Sequence, residues 1–193
     1  MKKLIITLAV VFALGLVLAA CATPPTEEMN KAQDAVTRAE NDADAVTYAG
    51  DTVAAARNSL SRMQDEANAK RYGPAKTLAQ EAIDNAEKAI ADGQAASERA
   101  KQEAANLLNG LAAPLADTSN ALDAAKQVQN VPLDFDAVSG QMDSARQTYT
   151  DAQQDLSAEN YDDAVTKGQT VRSQLSDINS KINNAVQSTS RKK

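Results

Sequence analysis

The sequence predicts an all-α protein, an elongated set of antiparallel helical hairpins or a bundle with two related halves. Three observations lead there. Hydrophobic residues make up 43% of the chain yet aromatics only 3%. Alanine dominates the apolar set, and it is the best helix former while burying little area per residue. Apolar residues recur at spacings of three and four, and runs alternating Val, Ile, Thr and aromatics between turn residues are absent.

The chain of 193 residues fits one domain or two small ones. Its formal net charge is −6. Lys2 and Lys3 belong to an N-terminal signal, and without them 18 basic residues face 26 acidic ones, a charge of −8. Such a surface repels nucleic acid, so a nucleic-acid partner is not expected.

The first element is that signal, residues 1–20. Met1-Lys2-Lys3 is a positive n-region, and Leu4 to Leu18 is an apolar run of 15 residues. This is shorter than the roughly 20 residues of a spanning helix. The next residues, Leu18-Ala19-Ala20-Cys21, match the lipobox, so residues 1–21 resemble the leader of bacterial lipoproteins. That resemblance implies cleavage between Ala20 and Cys21, a diacylglycerol on the Cys21 sulfur and an acyl group on its new amino terminus. More than one acyl chain is needed for stable membrane attachment. Ala22 stands where an aspartate often marks inner-membrane retention, which favours the outer membrane, facing the periplasm. Cys21 is the only cysteine, so no disulfide can form within the chain.

Residues 21–28 read as a lipidated tether, extended by Pro24-Pro25. A first helix is expected from Glu27 to about Tyr48, with Ala32, Ala35, Val36, Ala39, Ala43 and Val46 on its inner face. Gly50-Asp51 is the first break, with Asp51 as an N-cap. A second helix then runs to about Lys70 and buries Val53, Ala56, Leu60, Met63 and Ala67. Tyr72-Gly73-Pro74 is the strongest interior break. The helix after it turns Leu78, Ala82, Ile83, Ala86 and Ile90 inward, with Gly93 weakening its continuity towards Leu108.

Asn109-Gly110 and Pro114 predict another break, followed by a short helix through Leu115, Leu122 and Val128. The boundary between an N-terminal helical region (29–129) and a C-terminal hairpin (130–188) falls at Asn130-Val131-Pro132. That hairpin comprises Asp134 to about Leu156 and Tyr161 to about Val186, joined through Ser157-Ala158-Glu159-Asn160. The end of the chain, with the basic tail 189–193, reads as polar and frayed.

The halves align without gaps at an offset of 89. Ala56-Arg57 falls on Ala145-Arg146, Ala69 on Ala158, Tyr72 on Tyr161 and Ala75 on Ala164. Ala82, Ala86 and Ala89 fall on Val171, Leu175 and Ile178. Each unit reads as helix, short turn with tyrosine, helix. Tyr72 and Tyr161 are expected to plug the end of each hairpin, where a ring buries more area than alanine can. The functional alternative is that they line a ligand groove.

The pattern Ala35, Ala39, Tyr48-Ala49, Ala56-Arg57, Leu60, Tyr72, Ala75, Leu78-Ala79, Ala82 and Ala86 resembles the small alanine-rich domain of unknown function of bacterial envelope lipoproteins. The resemblance covers roughly residues 29–93 and implies a periplasmic helical module without catalytic residues. Some members carry an OmpA-type peptidoglycan-binding domain, which this sequence lacks. The Tyr-x-x-Ala turn also resembles tetratricopeptide repeats, but their period and large core residues are missing.

Chemistry is scarce. With no histidine and Cys21 carrying lipid, His-containing triads, thiol nucleophiles and ordinary zinc sites are excluded. Asp134-x-Asp136 lacks the spacing of a calcium loop and reads as a helix cap. Asp162-Asp163 reads as first-turn acids. Glu81 with Asp84, and Glu98 with Lys101 and Gln102, read as solvated faces. No catalytic residue, metal or cofactor is expected.

Arg191-Lys192-Lys193 resembles the basic end of Braun-type lipoproteins, whose last lysine is joined to peptidoglycan. Lys193 is the candidate attachment residue, against the plainer reading of a solvated tail. The expectation is therefore a non-catalytic envelope lipoprotein, a membrane-tethered structural or interaction module with envelope proteins or a second copy as partners. Two alternatives stay open: a peptidoglycan tether through Lys193, and a binder of a small or lipidic ligand near Tyr72, Tyr161, Tyr149 and Phe135.

Overall fold

The computed structural model describes residues 23–190, and every described element is helical. In chain order these are α1 (Thr26–Asn41), α2 (Ala43–Tyr48), α3 (Gly50–Asn68), α4 (Tyr72–Lys126), α5 (Phe135–Ser157) and α6 (Tyr161–Ser190). The all-α class follows from alanine-rich amphipathic segments that satisfy their backbone polar groups internally.

The chain divides into two compact units between Ala96 and Ser97. The N-terminal unit consists of α1, α2, α3 and the first part of α4. The C-terminal unit consists of the remainder of α4 with α5 and α6. The division lies inside α4, whereas Asn130-Val131-Pro132 is a loop within the C-terminal unit.

The first helix ends earlier than its periodicity suggests. Asp42 adopts an extended conformation (φ −83°, ψ 114°), and its carboxylate accepts a 2.8 Å hydrogen bond from the Ala45 amide. This cap starts α2 afresh and resets the helical phase. Ala45 becomes buried, while Ala43 and Val46, expected on the inner face, are exposed, Val46 by 51%. Ala49 rather than Asp51 is the N-cap of α3, and Asp51 lies in its first turn.

The breaks expected at Asn109-Gly110 and Pro114 do not occur, since α4 is continuous through both. It also runs past Gly93, where continuity towards Leu108 was weakened but not broken in the sequence pattern. Proline at 114 removes an amide donor and crowds the carbonyl of Gly110. Both residues are exposed, so water can serve the freed carbonyl. Leu108, Leu111, Leu115 and Leu122 hold the same stretch of helix in the core. Val128, expected inward, lies past the helix end and is 41% exposed.

At the other end of the chain α6 continues to Ser190, where fraying was expected after Val186. Hydroxyls of Ser188 and Thr189 donate to the Ala185 carbonyl, and that of Ser190 to Val186. Ala185 is buried, which keeps this last stretch docked.

The two cores differ in side-chain size. In the N-terminal unit Ala32, Ala39, Ala56, Ala75, Ala79, Ala82, Ala86 and Ala89 are fully buried. Helices meeting through such residues approach closely, and the larger Val36, Val53, Leu60, Met63 and Leu78 fill what remains. In the C-terminal unit Val171, Leu175 and Ile178 occupy the positions equivalent to Ala82, Ala86 and Ala89. Met142 and Ile182 enlarge that core further. A polar pair is built into it, with the Asn179 amide donating to the nearly inaccessible Thr118 hydroxyl at 2.7 Å.

Candidate functional site

Of the residues that the sequence marks for chemistry, Ala20, Cys21 and Lys193 lie outside the described residues. Tyr72 and Tyr161 are placed at the two interhelical turns, and those turns share one backbone design.

Each turn is a Schellman arrangement. After α3, the Lys70 amide donates to the Ala67 carbonyl and the Arg71 amide to the Glu66 carbonyl. After α5, the Glu159 amide donates to Leu156 and the Asn160 amide to Asp155. All four donor and acceptor positions are related by the same 89-residue offset. Lys70 (φ 58°) and Glu159 (φ 65°) therefore occupy the left-handed region although neither is glycine. The sequence pattern put the first break at Tyr72-Gly73-Pro74 and the second connection at Ser157-Ala158-Glu159-Asn160, but nothing in it marks Lys70 or Glu159 as the left-handed residue of each bend.

The tyrosines are not used alike. Tyr161 is buried, 7% exposed, and begins α6. Tyr72 begins α4 only half-buried. The two other aromatics weighed for ligand contact, Tyr149 and Phe135, pack against the core of the C-terminal unit. The Tyr149 hydroxyl donates to the Leu108 carbonyl at 3.1 Å, so its polar end is engaged within the fold.

Charge around the turns is differently arranged. In the N-terminal unit Arg71 grips Glu66, with the Arg71 Nη2 to Glu66 Oε1 distance 2.9 Å. This hydrogen bond holds the Glu66 carboxyl below its ordinary range. Lys76 reaches Glu28 at 2.6 Å and lowers the Glu28 carboxyl in the same way. That pair sets the first turn of α1 beside the start of α4. The start of α1 and the Lys70–Tyr72 turn therefore share one end of the unit. In the C-terminal unit the equivalent of Glu66 is Asp155, which binds Lys167 at 2.5 Å and holds the lysine charged to higher pH.

Asp134 caps α5, its carboxylate accepting from the Ala137 amide at 3.0 Å. Asp162 and Asp163 lie in the first turn of α6. Gln102 donates to Glu98 at 3.0 Å on an exposed helix face. These carboxylates serve helix ends and surfaces. Among the described residues no group of three or more His, Cys, Asp or Glu side chains could hold a metal ion. Grooves on the two units are open and shallow rather than enclosed, as along Glu28, Lys76, Gln80 and Ile83. No helix among the described residues is long and apolar enough to cross a membrane.

Residues 27–107 match the family described as Domain of unknown function (DUF4398), so the chain contains one such domain. The match covers α1 to α3 and continues along α4 past Ala96. No curated protein and no solved structure matches the chain.

Proposed function

We propose that the chain is a lipid-anchored protein of the bacterial envelope, non-catalytic, holding a helical interaction module at the periplasmic face of the outer membrane. The observation that carries this reading is the order of residues 1–26: a basic n-region, an apolar run too short to span, Leu18-Ala19-Ala20-Cys21, a Pro24-Pro25 tether, then helix. DUF4398 is a family of bacterial envelope proteins, which supports the same compartment. The absence of histidine from the sequence, with its single cysteine assigned to lipid, supports a role in binding rather than catalysis. The module works through its helix surfaces, with other envelope proteins or a second copy as partners.

Mass spectrometry of the N-terminal peptide from membrane-extracted protein tests the anchor. The expected result is a chain beginning at Cys21 and carrying diacylglycerol and an amide-linked acyl group. Cys21→Ser is expected to leave the signal uncleaved and remove the lipid mass. A mature chain with an unmodified Cys21 thiol would overturn the proposal. In-cell crosslinking followed by identification of the adducts then names the partner. A lipidated protein that crosslinks to nothing would retire the interaction module while leaving the anchor intact.

A further inference from the structure

We infer that the Lys70-Arg71-Tyr72 turn is a membrane-contacting surface that seats the N-terminal unit on anionic phospholipid headgroups beside its own anchor. This rests on the lipid-anchor reading above. Only four residues separate Cys21 from Thr26. Fully extended, they allow at most about 17 Å between Cys21 and the first helical residue. The Lys76–Glu28 contact places the start of α4, and hence the turn before it, at that same tethered end.

The chemistry of the turn suits a headgroup layer. Glu27, Glu28 and Glu66 are each neutralised by Lys31, Lys76 and Arg71. Arg62 on α3 adds positive charge that acts on Glu66, against Asp65 next to it in the sequence. Lys70 makes no ion pair among the described residues, and it is exposed at the apex of the bend. Its ammonium can meet a phosphate without first breaking a bridge. The half-buried ring of Tyr72 adds an amphipathic group of the kind that collects at membrane interfaces. The equivalent bend after α5 has the same backbone but carries Glu159 and Asn160, followed by Asp162 and Asp163. Its tyrosine is buried. The fold thus accepts an acidic turn here as readily as a basic one. A chain whose net charge is −6 places its basic turn at the end nearest the lipid.

The test uses the full lipidated chain in vesicles containing a nitroxide-headgroup lipid, with a fluorophore on Gly73→Cys. Nothing lies within 4 Å of a Cβ at Gly73. A second label on exposed Thr47→Cys is the distant control. Its neighbour Ala45 packs on Gly93, about 30 Å along α4 from Gly73. Vesicles with one third phosphatidylglycerol are compared with pure phosphatidylcholine. The expected result is strong quenching at position 73 on anionic vesicles only, weak quenching at 47, and loss of the difference in high salt. Lys70→Glu with Arg71→Glu should lower headgroup association roughly tenfold or more. The salt titration on the otherwise native turn covers the case in which this variant does not fold. Equal quenching at 73 and 47, or quenching that ignores lipid charge and salt, would overturn the inference. Failure of the protein to float with vesicles, or a Cys21 peptide without acyl mass, would instead overturn the anchor.

Discussion

Gly93 lies against the backbone of Ala45: a Cβ on Gly93 would stand 2.6 Å from the Ala45 amide nitrogen and 2.7 Å from its Cα. Helix α2 is therefore packed backbone-to-backbone on α4, and the Asp42 cap makes this possible by ending α1 at Asn41. Alanine at 93 would gain about 1 kcal/mol in helix propensity. It would also force two backbones apart, at a cost of about 1–3 kcal/mol. Gly93→Ala is expected to lower stability in urea denaturation. Asp42→Ala, which removes the cap of α2, should cost about 1 kcal/mol by the same measurement.

Gly168 offers a contrast. An added Cβ there would meet the Leu107 Cδ2 at 2.7 Å, the end of a partly buried and rotatable side chain. Gly168→Ala should be milder than Gly93→Ala, because Leu107 can move where a backbone cannot. Gly140 has open space around it within α5. Gly140→Ala should raise stability by up to about 1 kcal/mol.

Lys70 and Glu159 carry side chains in a conformation that favours glycine. Lys70→Gly and Glu159→Gly are each expected to stabilise their turn, by about 1 kcal/mol after the loss of chain stiffness is counted. Thermal melts of the two single variants and the double variant check this. A destabilisation in either would mean that the side chain contributes more than its backbone strain costs.

Leu175 and Ala86 are equivalent positions in cores of different size. Leu175→Ala should cost about 2–5 kcal/mol by leaving a cavity. Ala86→Leu should cost about 1–3 kcal/mol by overfilling a helix contact built on small residues. Chemical denaturation of both variants decides whether the cores differ as their side chains indicate.

Acid should loosen the end of the N-terminal unit where α1 begins. Glu28 and Glu66 have carboxyls held below the ordinary value of 4.5 by Lys76 and Arg71. Their contribution to stability is fully present above that value and is lost as pH falls through the lowered folded values. Solvent screening keeps the effect small, since these bridges are exposed. Carboxyl chemical shifts followed by NMR should show both groups titrating below their unfolded reference, and Lys76→Gln should return Glu28 towards it.

Much of the fold was legible because its determinants are local. Alanine-rich periodicity marked the helices, and Asp134 acted as the cap its position suggests. Tyr72 and Tyr161 marked turns whose hydrogen bonds obey the same 89-residue offset as the side chains. The connection at Ser157-Ala158-Glu159-Asn160 was legible too, but the left-handed residues within the bends were not, because Lys70 and Glu159 stand where glycine would have announced them. Asp42 was hidden for a related reason. Its role as a cap shows only when Ala45 and Gly93 are seen in contact, and the uninterrupted periodicity around it favoured one helix.

By itself, the sequence determined the helical class, the alanine-built contacts of the N-terminal unit and the repeated helix–turn–helix order. Each follows from propensity and spacing within a few residues. The tertiary structure decided that the units divide inside α4 between Ala96 and Ser97, that α2 begins at Ala43 behind the Asp42 cap, and that α4 runs through Gly93, Gly110 and Pro114. Along α4 a local preference worth about 1–3 kcal/mol at Gly93, Gly110 and Pro114 competes with the burial of several apolar side chains, each contributing about 1.5–3 kcal/mol. Burial prevails, and which residues share it becomes visible only when the helices are packed.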